Sequence, residues 1–231
     1  KINPDLSDEF LYIVQRKFVD KKISNGAVIG GYKGGLIPKA PVGGVLFAHG
    51  ILDGSPTLKR QNFYNLMVEA EIAFRPCGLI ESPLANVEAL QSAICEVYPA
   101  IELPDAAVED LADMLANIDH FRRLLIPTNM AVSHVLLGGG IKPSDVDLNN
   151  LNVRVTFDGG QIGYHEAARS IGDIWSRVLW VVNEFVLSHG YVIGPEHIII
   201  PGALTGIHPG EIGRYTVDYG ALGQVNFQIQ P

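Results

Sequence analysis

Glu69 and Glu71 stand two residues apart in the apolar run Leu66-Met67-Val68-Glu69-Ala70-Glu71-Ile72-Ala73-Phe74. Written as a β-strand, that run points both carboxylates to one face, about 6–7 Å apart at a rise of about 3.3 Å per residue. Two bare carboxylates on an apolar face repel each other and lose hydration. A divalent cation removes both difficulties. An edge strand with that face in water would tolerate the pair as well, so on its own it leaves two readings open. A third acid of the same kind is Glu102, in the apolar run Val97-Tyr98-Pro99-Ala100-Ile101-Glu102-Leu103. Three carboxylates with no neighbouring Cys or His make an all-oxygen set, suited to Mg²⁺ or Mn²⁺ rather than Zn²⁺. Such a set leaves coordination positions for water and substrate, as a catalytic ion requires.

The elements that must position these acids are mostly strands. Asn152–Phe157 alternates, turns at Asp158-Gly159-Gly160 and returns through Gln161-Ile162-Gly163, a hairpin pattern. His197–Ile200, Arg214–Tyr219 and Gln224–Ile229 read as further strands. Short strands are also expected around Val28-Ile29 and Val45–Phe47, joined by turns bearing Pro and Gly. The glycine cluster Gly30–Gly35 is not a phosphate loop, because no Gly-Lys-Ser/Thr follows it.

Helices flank these segments. Ser7-Asp8-Glu9 reads as a helix start, with Phe10, Ile13, Val14 and Phe18 at helical spacing as its packing face. Ser82-Pro83 opens a second helix whose apolar face is Leu84, Val87, Leu90, Ile94 and Val97. Val108, Leu111, Leu115 and Ile118 mark another. The longest runs from about Ser170 to Ser188, carries the stripe Ile171, Ile174, Trp175, Val178, Leu179, Val182 and Phe185, and stops at Gly190. Clustered strands with outlying helices define an α+β fold rather than a βαβ alternation.

The chain of 231 residues is 47% apolar and 18% charged, the composition of a folded, well-cored protein, read here as one domain over 1–231 with a small N-terminal helical portion. A net charge of −8 without a Lys/Arg stripe argues against nucleic acid as a partner. No stretch of about 18 apolar residues predicts a membrane span. Cys77 and Cys95 form no zinc pattern and read as two free thiols in a reducing compartment. A cytoplasmic location is the expectation, with a removed leader still compatible because the chain begins at Lys1.

Taken together, these segments resemble the 2-keto-4-pentenoate hydratase branch of the fumarylacetoacetate hydrolase superfamily. Gly31-Tyr32-Lys33-Gly34-Gly35-Leu36 is similar to its G-x-K-x-G-L-T element, and Gly44-Val45-Leu46-Phe47 to the element just after it. Glu69-Ala70-Glu71-Ile72-Ala73-Phe74 matches the E-A-E-I-A-F metal motif outright. Pro99-Ala100-Ile101-Glu102-Leu103-Pro104-Asp105 resembles P-A-I-E-x-x-D. Asn129 with Leu137-Gly138, then Gly202–Gly206 and Leu222–Val225, resemble later elements, so the likeness covers nearly the whole chain.

The resemblance implies a β-rich mixed-sheet roll with helices outside and a metal held by Glu69, Glu71 and Glu102. It also implies a hydratase that adds water to 2-hydroxypenta-2,4-dienoate-type substrates to give 4-hydroxy-2-oxo acids. A sibling 2-oxo-3-enedioate decarboxylase, an acylpyruvate hydrolase and a non-catalytic homologue that binds a small oxo acid are the alternatives. Lys33 is expected to stabilise the developing enolate or hold the substrate carboxylate. Asn129 and Thr205 are expected at the substrate. His49 occupies the stretch where the family supplies an aspartate. Its ordinary pKa of about 6.5 suits a proton carrier near neutrality. A small 2-oxo acid or dienoate as substrate and a homo-oligomeric assembly complete the expectation.

Overall fold

The computed structural model describes residues 6–37, 39–108, 116–166 and 173–231. Thirteen strands are described: β1 (Ile29–Gly35), β2 (Val42–Phe47), β3 (Ile51–Asp53), β4 (Thr57–Lys59), β5 (Met67–Pro76), β6 (Ile94–Leu103), β7 (His134–Leu137), β8 (Asn152–Phe157), β9 (Gly160–Glu166), β10 (Ile198–Ile200), β11 (Ile207–Pro209), β12 (Gly213–Asp218) and β13 (Gln224–Gln230). The larger sheet has the order β2-β1-β10-β5-β6-β7-β3, with β11 paired to β5. Its two outermost strands, β2 and β3, are joined by a single 3₁₀ turn, Ala48–Gly50, so the sheet curls until its edges meet. The smaller sheet, β4-β13-β12-β8-β9, shares one apolar core with it: Ile72 and Ile101 of the first sheet sit in the same cluster as Val155, Val217 and Phe227 of the second. Both sheets mix parallel and antiparallel pairs, β1 with β10 and β4 with β13 being parallel. This is the α+β class expected.

Among the described residues four α-helices accompany the sheets: α1 (Asp8–Ser24), α2 (Val87–Ala93), α3 (Ile118–Leu125) and α4 (Ile174–Trp180), the last continuing as a π-helix over Val181–Leu187. The Gly-rich segment turns out to be strand, not turn. β1 is paired on both sides, and its glycines with those of β2 form a bare seat for the helix above. A Cβ on Gly34 would lie 2.5 Å from Val181 Cγ2, and one on Gly43 would lie 2.1 Å from the Phe185 ring. Real side chains there would lift the helix off the sheet.

Several sequence expectations need correction. α1 starts where expected, with Ser7 Oγ accepting a hydrogen bond from Phe10 N at 3.2 Å. Its buried face, however, is Leu11, Gln15 and Val19, while Ile13 and Phe10 remain 49% and 46% exposed. The reason is Gln15, whose amide donates to the carbonyls of Gly43 (2.9 Å) and Ile126 (2.8 Å) and so turns that side inward. The helix expected from Ser82-Pro83 begins only at Val87, capped by Asn86 Oδ1 accepting from Ala89 N at 2.9 Å. Ile94 and Val97 belong to β6, because the ladder with β5 claims them.

Cys77 and Cys95 are not free thiols but a disulfide, with Cα atoms 4.8 Å apart. The β5–β6 pairing runs on to Pro76 opposite Ile94, and Cys77 N donates to Ala93 O, which brings the two cysteines together. The compartment inference that rested on free thiols therefore loses its basis. Leu111 and Leu115 of the third expected helix, and Ile171 at the head of the longest, lie outside the described residues. The hairpin at Asp158-Gly159 forms as read, with φ of 45° and 84° at the two turn residues. No helix among the described residues is long and apolar enough to cross a membrane.

Candidate metal centre

The acids converge because β5 and β6 are antiparallel neighbours in one fixed register. Glu69 sits directly opposite Glu102, and Glu71 follows two residues along the same face of β5. One carboxylate oxygen from each of Glu69, Glu71 and Glu102 lies within 4.8 Å of the other two. Lys33 reaches the cluster from β1 and donates from Nζ to Glu102 Oε1; its Nζ is also 3.5 Å from the carbonyl oxygen of Met130. Gly202 N donates to Glu71 Oε2 at 2.7 Å. These bonds leave Glu71 Oε1 and Glu102 Oε2 buried with no partner among the described residues.

The electrostatics follow from that arrangement. Burial, reinforced by the charge of Glu102, pushes the Glu69 carboxyl up to about 7, with Lys33 pulling the other way. The same two causes hold Glu71 well above the ordinary carboxylate value. Burial works to lower the pKa of Lys33, but the carboxylates of Glu102, Glu69 and Glu71 overcome it and keep the ammonium charged. When ionised, the three carboxylates face the Lys33 ammonium and, through Glu71, the Arg177 guanidinium, so negative charge is left in excess. Orphaned hard oxygens and an excess of negative charge fit a divalent cation bound by oxygen ligands.

The cluster opens onto a cavity of ≈ 230 Å³. Lys33, Glu69 and Arg177 supply its charges, and Leu36, Met67, Phe121, Leu125, Met130 and Ile207 give it an apolar wall. Asn129 is buried behind this wall rather than part of it. Its Oδ1 accepts from Val45 N and its Nδ2 donates to Val45 O, each at 2.8 Å, so the side chain stands in for a strand partner of β2. That pairing supports three successive left-handed residues, Asn129, Met130 and Ala131, with φ of 53°, 57° and 54°. Met130 and Ala131 are thereby carried to the cavity lining.

His49 and Thr205 are not among the residues that line the cavity. His49 is exposed on the turn between β2 and β3 and stacks on Phe47 at 6.0 Å. Thr205 is half-buried, and its Oγ1 has no partner among the described residues. Arg177 is a functional candidate that sequence reasoning passed over. It lies on the buried side of α4 between Ile174 and Val178, and a charged residue inside an apolar stripe was the signal available.

Comparison with known proteins places this geometry. No protein-family model matches the chain. A 2-oxo-hept-4-ene-1,7-dioate hydratase of Escherichia coli is 27% identical over 236 residues, covering 96% of this chain and 87% of that protein. The solved 4-oxalocrotonate decarboxylase from Pseudomonas putida G7, complexed with magnesium and adipate, superposes with a TM-score of 0.87 at 22% identity, over 98% of this chain and 88% of its own. The chain shares the fold of that decarboxylase and is similar in sequence, along nearly all of its length, to the hydratase. The curled sheets are shared more widely. A 2-hydroxyhepta-2,4-diene-1,7-dioate isomerase from Mycobacterium marinum superposes with a TM-score of 0.64 at 16% identity, over 88% of this chain and 76% of its own. These structural likenesses carry the fold; the acids and their geometry carry the chemistry.

Proposed function

We propose that the protein is a divalent-metal-dependent enzyme of 2-oxo acid chemistry, a hydratase that adds water to a 2-hydroxydienoate-type substrate. The observation that carries this reading is the convergence of the Glu69, Glu71 and Glu102 oxygens beside the Lys33 ammonium at the floor of a cavity. Glu69, Glu71 and Glu102 would hold the ion, Mg²⁺ or Mn²⁺. The structurally similar decarboxylase, solved with magnesium and adipate and also with calcium and acetate, supports a hard dication. When bound, such an ion supplies Lewis-acid polarisation of a 2-oxo or enol oxygen.

The chain's own residues do the rest. Lys33, fixed by Glu102 and kept cationic by the three acids, presents a positive charge where enolate charge develops. Gly202 N fixes the rotation of the Glu71 carboxylate, so one of its oxygens stays turned toward the cluster. Leu36, Phe121, Leu125 and Met130 exclude water from the carbon chain of the substrate. The curated hydratase, the relative with the higher identity, supports water addition over the sibling reactions.

The purified protein is assayed with 2-hydroxypenta-2,4-dienoate and its enedioate analogues, with Mg²⁺ and with EDTA. Metal-dependent formation of a 4-hydroxy-2-oxo acid is expected. Release of carbon dioxide would move the protein to the decarboxylases, and cleavage of an acylpyruvate to the hydrolases. Tight Mg²⁺ binding with no turnover of any of these would make it a binding protein.

A further inference from the structure

Arg177 is a buried guanidinium that feels the charge of Glu71 but is hydrogen-bonded to no carboxylate among the described residues. Nε and Nη1 are both buried and meet no partner among the described residues. Nη2 is held close to the cluster, since a Cβ on Gly202 would lie 2.5 Å from it, and the same Gly202 donates to Glu71. Gly202 itself adopts a φ of 111°, a conformation that favours glycine and keeps this approach open. The guanidinium lines the same cavity as Lys33 and Glu69. A buried cation left unpaired is costly, and a planar fork of donors matches a carboxylate.

Charge balance identifies what is missing. Lys33 is committed to Glu102, and a dication would neutralise the two charges that remain on the acids. Arg177 then stands as the cavity's uncompensated positive charge, and a ligand carrying one carboxylate restores neutrality. We propose that Arg177 is the carboxylate-anchoring residue of the cavity, its guanidinium pairing with a carboxylate of the substrate. This rests on the proposed function for the substrate class, but not for the anion site itself. The carboxylate can be the one beside the 2-oxo group or a second one at the far end of an enedioate, and the ligands of the test separate the two.

The test is calorimetric binding of pyruvate, 2-oxoadipate and adipate to the full-length protein with Mn²⁺, for wild type, Arg177→Met and Arg177→Lys. Wild type is expected to bind carboxylates, and Arg177→Met to bind them about 10- to 100-fold more weakly, the usual loss when a charged hydrogen-bond partner is removed. Arg177→Lys should recover part of this through its point charge. Mn²⁺ should still bind both variants at least as tightly as wild type, and more tightly in Arg177→Met, which removes the positive charge that Glu71 feels; a merely structural role would weaken it. Equal weakening of pyruvate and 2-oxoadipate assigns the carboxylate beside the oxo group. Weakening confined to 2-oxoadipate and adipate assigns the distal one. Should Arg177→Met fail to fold, adipate against hexanoate on wild type, with Arg177→Lys alongside, carries the same comparison. Unchanged carboxylate affinity in both folded variants, or a wild type that takes Mn²⁺ but binds none of the three acids, overturns the assignment. Carboxylate binding that depends on Arg177 in a protein that takes no Mn²⁺ would sink the proposed function and leave this assignment standing.

Discussion

Removing the charge at Glu69 should stabilise the metal-free protein, and more so as pH rises. Glu69 titrates near 4.5 when unfolded and at about 7 in the fold. Between those values the folded state keeps a proton that the unfolded state has released, so stability falls as pH increases through this window. A displacement of that size corresponds to about 3 kcal/mol once both states are ionised, of which about 1 kcal/mol has already gone by pH 5. Burial of His134, His197 and His208 lowers their pKa values from 6.5, giving a dependence of opposite sign at and below that pH. Those histidines are common to wild type and Glu69→Gln, and their effect cancels in the difference. The assay is thermal unfolding of both proteins in EDTA from pH 5 to pH 8. At about 2–4 °C per kcal/mol for a chain of this size, the variant's advantage should widen by about 5–10 °C across the range. With Mg²⁺ in excess the order should reverse at pH 8, because only wild type keeps the full ligand set. A difference independent of pH would refute the claim that uncompensated negative charge is stored at this site.

Other changes separate structural from chemical roles. Asn129→Ala leaves both the N–H and the C=O of Val45 without a side-chain partner and should cost about 2–4 kcal/mol by urea unfolding, with a raised KM as Met130 and Ala131 move. His49→Ala removes an exposed ring outside the cavity lining and should leave kcat within about twofold; a loss near a hundredfold would restore it as a proton carrier. Gly43→Ala sets a methyl against the Phe185 ring and should destabilise by about 1–3 kcal/mol, read as a lowered midpoint in denaturant. Cys77→Ser opens a closure between residues 18 apart and should lower stability by about 3 kcal/mol under oxidising conditions and not under reducing ones.

How much of this was legible in the residues depends on whether the signal was local. The acidic trio could be read because strand geometry ties residues i and i+2 to one face, and because β5 and β6 pair in the one register that sets Glu69 against Glu102. The β8–β9 hairpin was legible for the same reason, from alternation and an Asp-Gly turn. Tertiary demands overrode local pattern elsewhere. The apolar spacing of α1 pointed outward once Gln15 found backbone partners across the fold. Ile94 and Val97, helical by periodicity, were recruited by the sheet. The glycines of β1 and β2 read as turns because the reason for them, a helix pressed on the sheet, lies more than a hundred residues away in sequence. Arg177 was hidden by its neighbours: one charge in an apolar stripe registers as an exception until the cavity around it is seen.

The Cys77–Cys95 bond closes the segment that connects the two acid-bearing strands. A protease that nicks the exposed stretch around Glu81-Ser82-Pro83 would produce two fragments that remain one molecule, with β5 and β6 still zipped and the three carboxylates still adjacent. Under oxidising conditions the backbone between those strands is therefore dispensable for holding the three carboxylates together, and new chain ends can be opened there.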